Sequence, residues 1–208
     1  MLDLARTTVG DLLDAIGART PAPGGGAVAS VTGALGAALG EMALRYSIRK
    51  SSPDDLRSSV GQAIESLVAA RARFLNLADD DARAYAELNR LQRLPEDDEV
   101  RQVGWKVAVE QAIAAPMATV TVSREALQHL DSVMEFCSKW LLSDLAIAAD
   151  LLASANRAAA WNVRVNLPLL DTEESKRARY EGQVEDALRA TSSLAESIIA
   201  HCQSSRSG

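Results

Sequence analysis

Aromatic residues are scarce in this chain: Trp, Tyr and Phe together make up 4% of its 208 residues. With no runs rich in Val, Ile, Tyr and Phe, that scarcity argues against a strand-based core. Only two cysteines are present, Cys137 and Cys202, too far apart to form a metal-ligand pair. They are expected as buried or free thiols in a reducing compartment. The two histidines, His129 and His201, have no partner at ligand spacing. No metal cluster and no nucleophilic triad is visible. Basic charge is also short. A net charge of −6 leaves no basic face for nucleic acid. No stretch approaches about 18 uninterrupted apolar residues, and no cationic start precedes an apolar run. Neither a membrane span nor a signal peptide is expected, and the chain reads as cytoplasmic.

What is present is alanine and leucine. Apolar residues reach 48% and charged residues 24%, an ordinary globular balance. An Ala/Leu core implies helices packed closely together. The expected fold is therefore all-α: one domain over residues 1–208, a single helical bundle with long helices. The first helix is expected near Thr8, an N-cap with Asp11 in the first turn, and weakens at Gly17. Two prolines and Gly24-Gly25-Gly26 then enforce a loop. A second helix over 27–48 carries Gly33, Gly36 and Gly40. Each glycine costs about 1 kcal/mol against alanine, which close backbone packing can offset. Ser52 as N-cap, Pro53, Asp54 and Asp55 open a third helix reaching about Arg93. A fourth covers 99–136, with Pro116 a candidate kink. A fifth covers 143–160. Trp161 to Leu167 alternates polar and apolar residues and is expected to be extended. The last helix opens at Asp171-Thr172-Glu173-Glu174 and runs to about Cys202.

Four places carry candidate chemistry. The loop through Pro23, Gly24, Gly25 and Gly26 leads into a helix N-terminus, whose unpaired N–H groups suit an anion; a simple sharp turn explains the glycines equally well. Asp81 stands in a seven-residue row with Val60, Leu67, Phe74 and Leu88, beside the row Ala63, Ala70, Leu77, Ala84 and Leu91. A carboxylate in a core row is costly unless it is paired or has a role. Its pKa rises with desolvation and falls beside a cation, and either suits acid–base work. Pairing in the core with Arg83 or another arginine is the plain alternative, although Arg83 points elsewhere on the helix. Asp79 and Asp80 lie off the row and are expected in solvent. At Ser143-Asp144, helix capping is the better local reading. Asn162, Arg164 and Asn166 fall on one side of an extended segment, fit to hold a carboxylate or a heteroaromatic ring, or to tie down backbone.

These places coincide, in order along nearly the whole chain, with motifs of the cyclodeaminase/cyclohydrolase family of folate enzymes. Ala18 to Val28 resembles the family's proline-glycine loop, continued by Gly33 to Leu39. Asp79 to Tyr85 is similar to its Asp-x-Asp-Ala-x-Ala-Phe segment, and Pro116 to a mid-chain proline. Ser143-Asp144 and Asn162-Val163-Arg164-Val165-Asn166-Leu167 resemble its closing motifs. The resemblance implies an all-helical homodimer acting on a tetrahydrofolate derivative, with no tightly bound cofactor and no metal. Two related activities are implied. Formiminotetrahydrofolate cyclodeaminase closes a ring and expels ammonia, giving 5,10-methenyltetrahydrofolate. Methenyltetrahydrofolate cyclohydrolase adds water to that cation and opens the ring. The implied catalytic carboxylates are Asp81 and Asp144. Pro23, Gly24, Gly25, Gly26, Lys50, Ser143, Asn162, Arg164 and Asn166 are the implied substrate contacts.

The chain departs from the family pattern in three places. Ala27 stands where the family has serine after the three glycines. Of a Gly-Lys-rich stretch only Lys50 remains. Cys137-Ser138-Lys139-Trp140 replaces a Gly-Asn pair, bringing a bulky indole near Ser143-Asp144. The retained Asp81 and Asp144 favour an enzyme. The departures favour a non-catalytic folate-binding or protein-interaction module of the same fold.

Overall fold

The structure, a computed structural model, describes residues 6–49, 51–170 and 173–205. The described residues form helices and no strand. The helices are α1 (Val9–Gly17), α2 (Gly25–Ser47), α3 (Asp54–Gln92), α4 (Glu99–Asp131), α5 (Leu142–Asn166) and α6 (Glu174–Ser204). Short 3-10 turns at Met134–Phe136 and Lys139–Leu141 join α4 to α5, and Leu167–Leu170 forms another after α5. Helices α2, α3, α4 and α5 pack as a ring of neighbours, and α6 lies against α4 and α5.

Glycine and alanine decide how close α2 sits. A Cβ at Gly33 would lie 2.6 Å from the Phe74 ring of α3, and one at Gly36 would lie 3.0–3.1 Å from Leu152, Leu151 and the Ala148 carbonyl of α5. One at Gly40 would meet Leu130 of α4 at 2.9 Å. The helix-propensity cost of these glycines is offset by backbone contact with three neighbours, as the sequence led one to expect. By length and composition alone α2 is apolar enough to cross a membrane. Here much of its surface is enclosed by the bundle: Ala37, Ala43 and Leu44 are fully buried.

The row on α3 is a core row. Val60, Leu67, Phe74 and Leu88 are buried, as are Ala63, Leu77, Ala84 and Leu91 on the row beside it. Neither cysteine is in a disulfide, and both are buried. Between α4, α5 and α6 a polar contact replaces apolar packing: buried Asn156 donates to the Val120 carbonyl and accepts from Thr191.

Several local expectations are corrected. Ser52 does not cap α3. Its hydroxyl accepts from the Arg49 N–H, and Pro53 holds the N-cap position with no side-chain bond. Helix α4 ends at Asp131, with a 3-10 turn taking up Met134–Phe136, and it stays helical through Pro116. Ser143 and Asp144 do not cap α5, which has already begun at Leu142 without a side-chain cap. The largest correction is Trp161 to Asn166. The segment is not extended but the last turns of α5. Alternation predicts a strand only where a neighbouring strand offers a ladder. Among the described residues there is none, and α5 continues because Val163 is buried against the bundle. The proposed cap at Asp171-Thr172 lies outside the described residues; α6 begins at Glu174.

Candidate active site

Where α2 begins, four helices enclose a cavity of about 250 Å³. Its wall is Pro21, Ala22 and Gly24 to Gly26 from the loop and α2, Asp81, Ala82 and Tyr85 from α3, Ala112 from α4, and Asn162, Val165 and Asn166 from α5, without the predicted contact Pro23. The loop is sharply bent, and the Ala22–Pro23 peptide is cis. Pro23 itself is buried beneath the wall. None of the glycines has a positive φ, so a left-handed turn is not why they are there.

Gly26 has a different reason. A Cβ on it would overlap the carboxylate of Asp81. The missing side chain lets α3 present Asp81 directly to the α2 N-terminus, where the Ala27 N–H bonds its carboxylate. Burial outweighs that bond and pushes the Asp81 carboxyl up to about 6, from an ordinary 3.8. Desolvation disfavours the charged form more than one backbone donor and a helix dipole restore. The pairing alternative fails: Arg83 turns away to Asp80, and no arginine acts on Asp81 among the described residues. Asp80 is exposed, as expected of it, while Asp79 is half-buried rather than in solvent.

Helical rather than extended geometry decides the closing motif. Asn162 and Asn166 are one turn apart and share a face. The Asn162 amide donates to the Ala158 carbonyl, and Asn166 donates to the carbonyls of Asn162 and Ala112. With the NH₂ groups engaged, the amide oxygens remain as fixed acceptors at the cavity. Arg164 lies on another face. It pairs with Glu181 of α6 at 2.7 Å and lines a separate cleft with Pro168 and Arg177.

Asp144 is not near Asp81 within the chain. Helices α2 and α5 run antiparallel: Gly25 lies against Asn162, Gly36 against Ala148, and the Ser47 hydroxyl accepts from the Ser138 N–H. Asp144 is roughly 27 Å along α5 from Asn162, at the far end of the bundle. Ser143 is exposed there, Asp144 is half-buried, and Asp144 acts on the nearby Cys137 thiol, whose pKa burial chiefly raises. Lys50 lies outside the described residues. The structure therefore brings together the glycine loop, Asp81, Asn162 and Asn166, and leaves Ser143, Asp144 and Arg164 elsewhere.

Six wall residues were not singled out as site residues from sequence: Pro21, Ala22, Ala82, Tyr85, Ala112 and Val165. Tyr85 follows Asp81 by one helical turn, so a search for same-face neighbours would find it. Ala112 has no sequence signal, since an alanine in an Ala-rich helix looks like any other.

A helical bundle that holds one desolvated carboxyl group against a helix N-terminus, between fixed amides, defines an acid–base pocket for a small molecule. The chain belongs to the formiminotransferase-cyclodeaminase family, whose model matches residues 8–186. It is 33% identical to formimidoyltransferase-cyclodeaminase of Rattus norvegicus over 156 residues, 73% of this chain and 29% of that protein. It is 27% identical to methenyltetrahydrofolate cyclohydrolase of Methylorubrum extorquens over 195 residues, covering 92% of this chain and 93% of that one. The crystal structure of formiminotetrahydrofolate cyclodeaminase from Thermotoga maritima superposes with a TM-score of 0.85 at 26% identity, covering 96% and 98% of the two chains. The chain thus spans about a third of the rat relative's length and nearly all of the two bacterial ones.

Proposed function

We propose that this chain is an enzyme of tetrahydrofolate one-carbon chemistry, acting as a formiminotetrahydrofolate cyclodeaminase. The observation that carries this is Asp81, a carboxyl group poised near pH 6 by burial, without a cation, in a cavity walled by fixed acceptors. In the cyclodeaminase reaction N10 attacks the formimino carbon on N5, the imino C=N opens, and the N10 proton passes to the imino nitrogen. The tetrahedral carbon then carries an amino group that must leave as ammonia. Protonated Asp81 gives its proton to the departing nitrogen, and its carboxylate then faces the methenyl cation. A group with a pKa near the working pH performs both halves well. A half-desolvated carboxylate stabilises the product cation more than an exposed one would.

The Asn162 and Asn166 oxygens accept hydrogen bonds from the N–H groups of the pterin ring and fix its orientation. Tyr85, half exposed at the cavity rim, offers a ring for the pterin or the adjoining aminobenzoyl group. Ala27 has no hydroxyl and leaves the N-terminal N–H as the local donor to Asp81. The substrate is a free folate, and the protein works as a homodimer without metal or bound cofactor.

The near-complete match to a cyclohydrolase favours a second reading, in which the Asp81 carboxylate takes a proton from water attacking the methenyl carbon. Supplying each substrate separately tests both. Appearance of the near-ultraviolet methenyl band from formiminotetrahydrofolate supports the first. Its accelerated loss on adding protein to methenyltetrahydrofolate supports the second. No turnover with either, together with a folate-induced rise in Tm, leaves a binding module.

A further inference from the structure

Pro116 is buried in the middle of α4, and the helix continues on both sides of it. Proline is the costliest residue in a helix interior. It has no N–H, and its ring presses on the carbonyl four residues earlier. That carbonyl belongs to Ala112, which is 4% exposed and lines the Asp81 cavity. A buried carbonyl with no donor is costly. Here the missing donor comes from another helix: the Asn166 amide of α5 donates to the Ala112 oxygen at 2.9 Å.

This exchange of donors fixes an amide. Both N–H groups of the Asn166 side chain are committed, one to Ala112 and one to the Asn162 carbonyl at 3.0 Å. Turning the amide over would set its oxygen against two carbonyl oxygens. The oxygen therefore stays on the opposite side, as an acceptor at the cavity wall. Asn162 differs, since among the described residues its amide bonds only to Ala158, within α5. Asn166 is thus the amide whose position is set across the junction of α4 and α5. Helix α4 is itself held there: one turn after the proline, buried Thr119 meets Ser30 of α2 at 2.9 Å.

We propose that Pro116 is a positioning residue for the site: by lacking an N–H it leaves the Ala112 carbonyl to Asn166, and so aims the Asn166 oxygen at the ligand. Pro116 is not part of the cavity wall, so it acts only through that amide. Any other residue at 116 supplies an N–H that draws the Ala112 carbonyl back into the helix ladder. Asn166 then keeps its bond to Asn162, one turn away on its own helix, and loses its tie to α4. Its oxygen is no longer fixed relative to the cavity floor. The proline lowers helix stability and gains a fixed acceptor, a local cost of the kind that functional sites carry. The consequence for substrate rests on the proposed folate activity; the exchange of donors does not.

The test uses Pro116→Ala and Pro116→Val, which both restore the N–H, the second with nearly the volume of the ring. Both should keep a urea midpoint at or above that of wild type, since each replaces proline in a helix interior. KM for the folate turned over should rise about 3- to 10-fold with kcat within about twofold, the effect of one misdirected hydrogen bond. The double variant P116A/N166A should bind no worse than N166A, because both changes act on one amide. Unchanged KM in both proline variants, or effects that multiply in the double variant, overturn the proposal. A second readout needs no turnover. In ¹⁵N-labelled protein the Asn166 side-chain protons should exchange with solvent about tenfold faster in P116A than in wild type. The Asn156 amide, bonded to the Val120 carbonyl two turns further along α4, should be unaffected. Equal loosening of both amides, or of neither, overturns the positioning role. Wild-type protein inactive on both folates sinks the functional reading, while the exchange rates still decide whether Pro116 fixes Asn166.

Discussion

The two ends of α5 carry the same kinds of residue and have different fates. At the C-terminal end, Asn162 and Asn166 are locked by backbone carbonyls and face a carboxyl group that burial has shifted. At the N-terminal end, Ser143 is in solvent, Asp144 is only half-buried, and Trp140 is almost wholly exposed. The first end is a finished pocket in one chain. The second has polar side chains but no enclosure within the chain, and enclosure is what excludes water. Reactive character therefore follows from what surrounds a carboxylate rather than from its presence in a motif.

The contrast breaks first at Asp81. Asp81→Asn should lower kcat by about 10²–10⁴-fold while the protein stays folded, measured on both folates. Full turnover in a folded variant would return Asp81 to a structural role. Gly26→Ala comes next. The added methyl must push Asp81 off the α2 N-terminus, so activity should drop with about 1–3 kcal/mol of stability. An unchanged urea midpoint and rate would show that the close approach is dispensable.

The same carboxyl group gives a stability prediction with a definite sign. Folded Asp81 takes up its proton at about 6, against 3.8 ordinarily, so folding favours the protonated form. Its contribution is fully present below pH 3.8 and is lost as pH rises through 6. Asp81→Asn should therefore match wild type near pH 4 and exceed it by up to about 2–3 kcal/mol above pH 7. Denaturation curves at the two pH values check this, and a variant less stable at high pH would reverse it. Asn166→Ala should cost about 1 kcal/mol by stripping bonds from two carbonyls, and should raise KM more than it lowers kcat. At the open end, Ser143→Ala should leave monomer stability within about 0.5 kcal/mol, because the residue is exposed and caps nothing.

Much of the architecture was legible because it follows from local rules. Thr8 caps α1 through its hydroxyl as its residue type demands. The heptad row on α3 was readable as a core row, and so was the oddity of Asp81 within it. The failures also have a physical pattern. Trp161 to Asn166 alternates like a strand, but burial of Val163 and packing on α2 and α4 hold it helical. Ser143-Asp144 looks like a cap, but the preceding 3-10 turn starts the helix one residue earlier. In both cases tertiary packing outweighed a weak local preference.

By itself, the sequence determined that the chain folds as helices, that α2 must lie close to its neighbours, and that Asp81 occupies a core position. Periodicity, glycine spacing and caps are properties of neighbouring residues, and neighbours suffice to read them. Only the tertiary structure decided which motifs meet. It set Gly26 beneath the Asp81 carboxylate, sent Arg164 to Glu181, and separated Asp144 from Asp81 by the length of a helix. Those outcomes depend on the antiparallel course of α2 and α5, a long-range relation that no local spacing encodes.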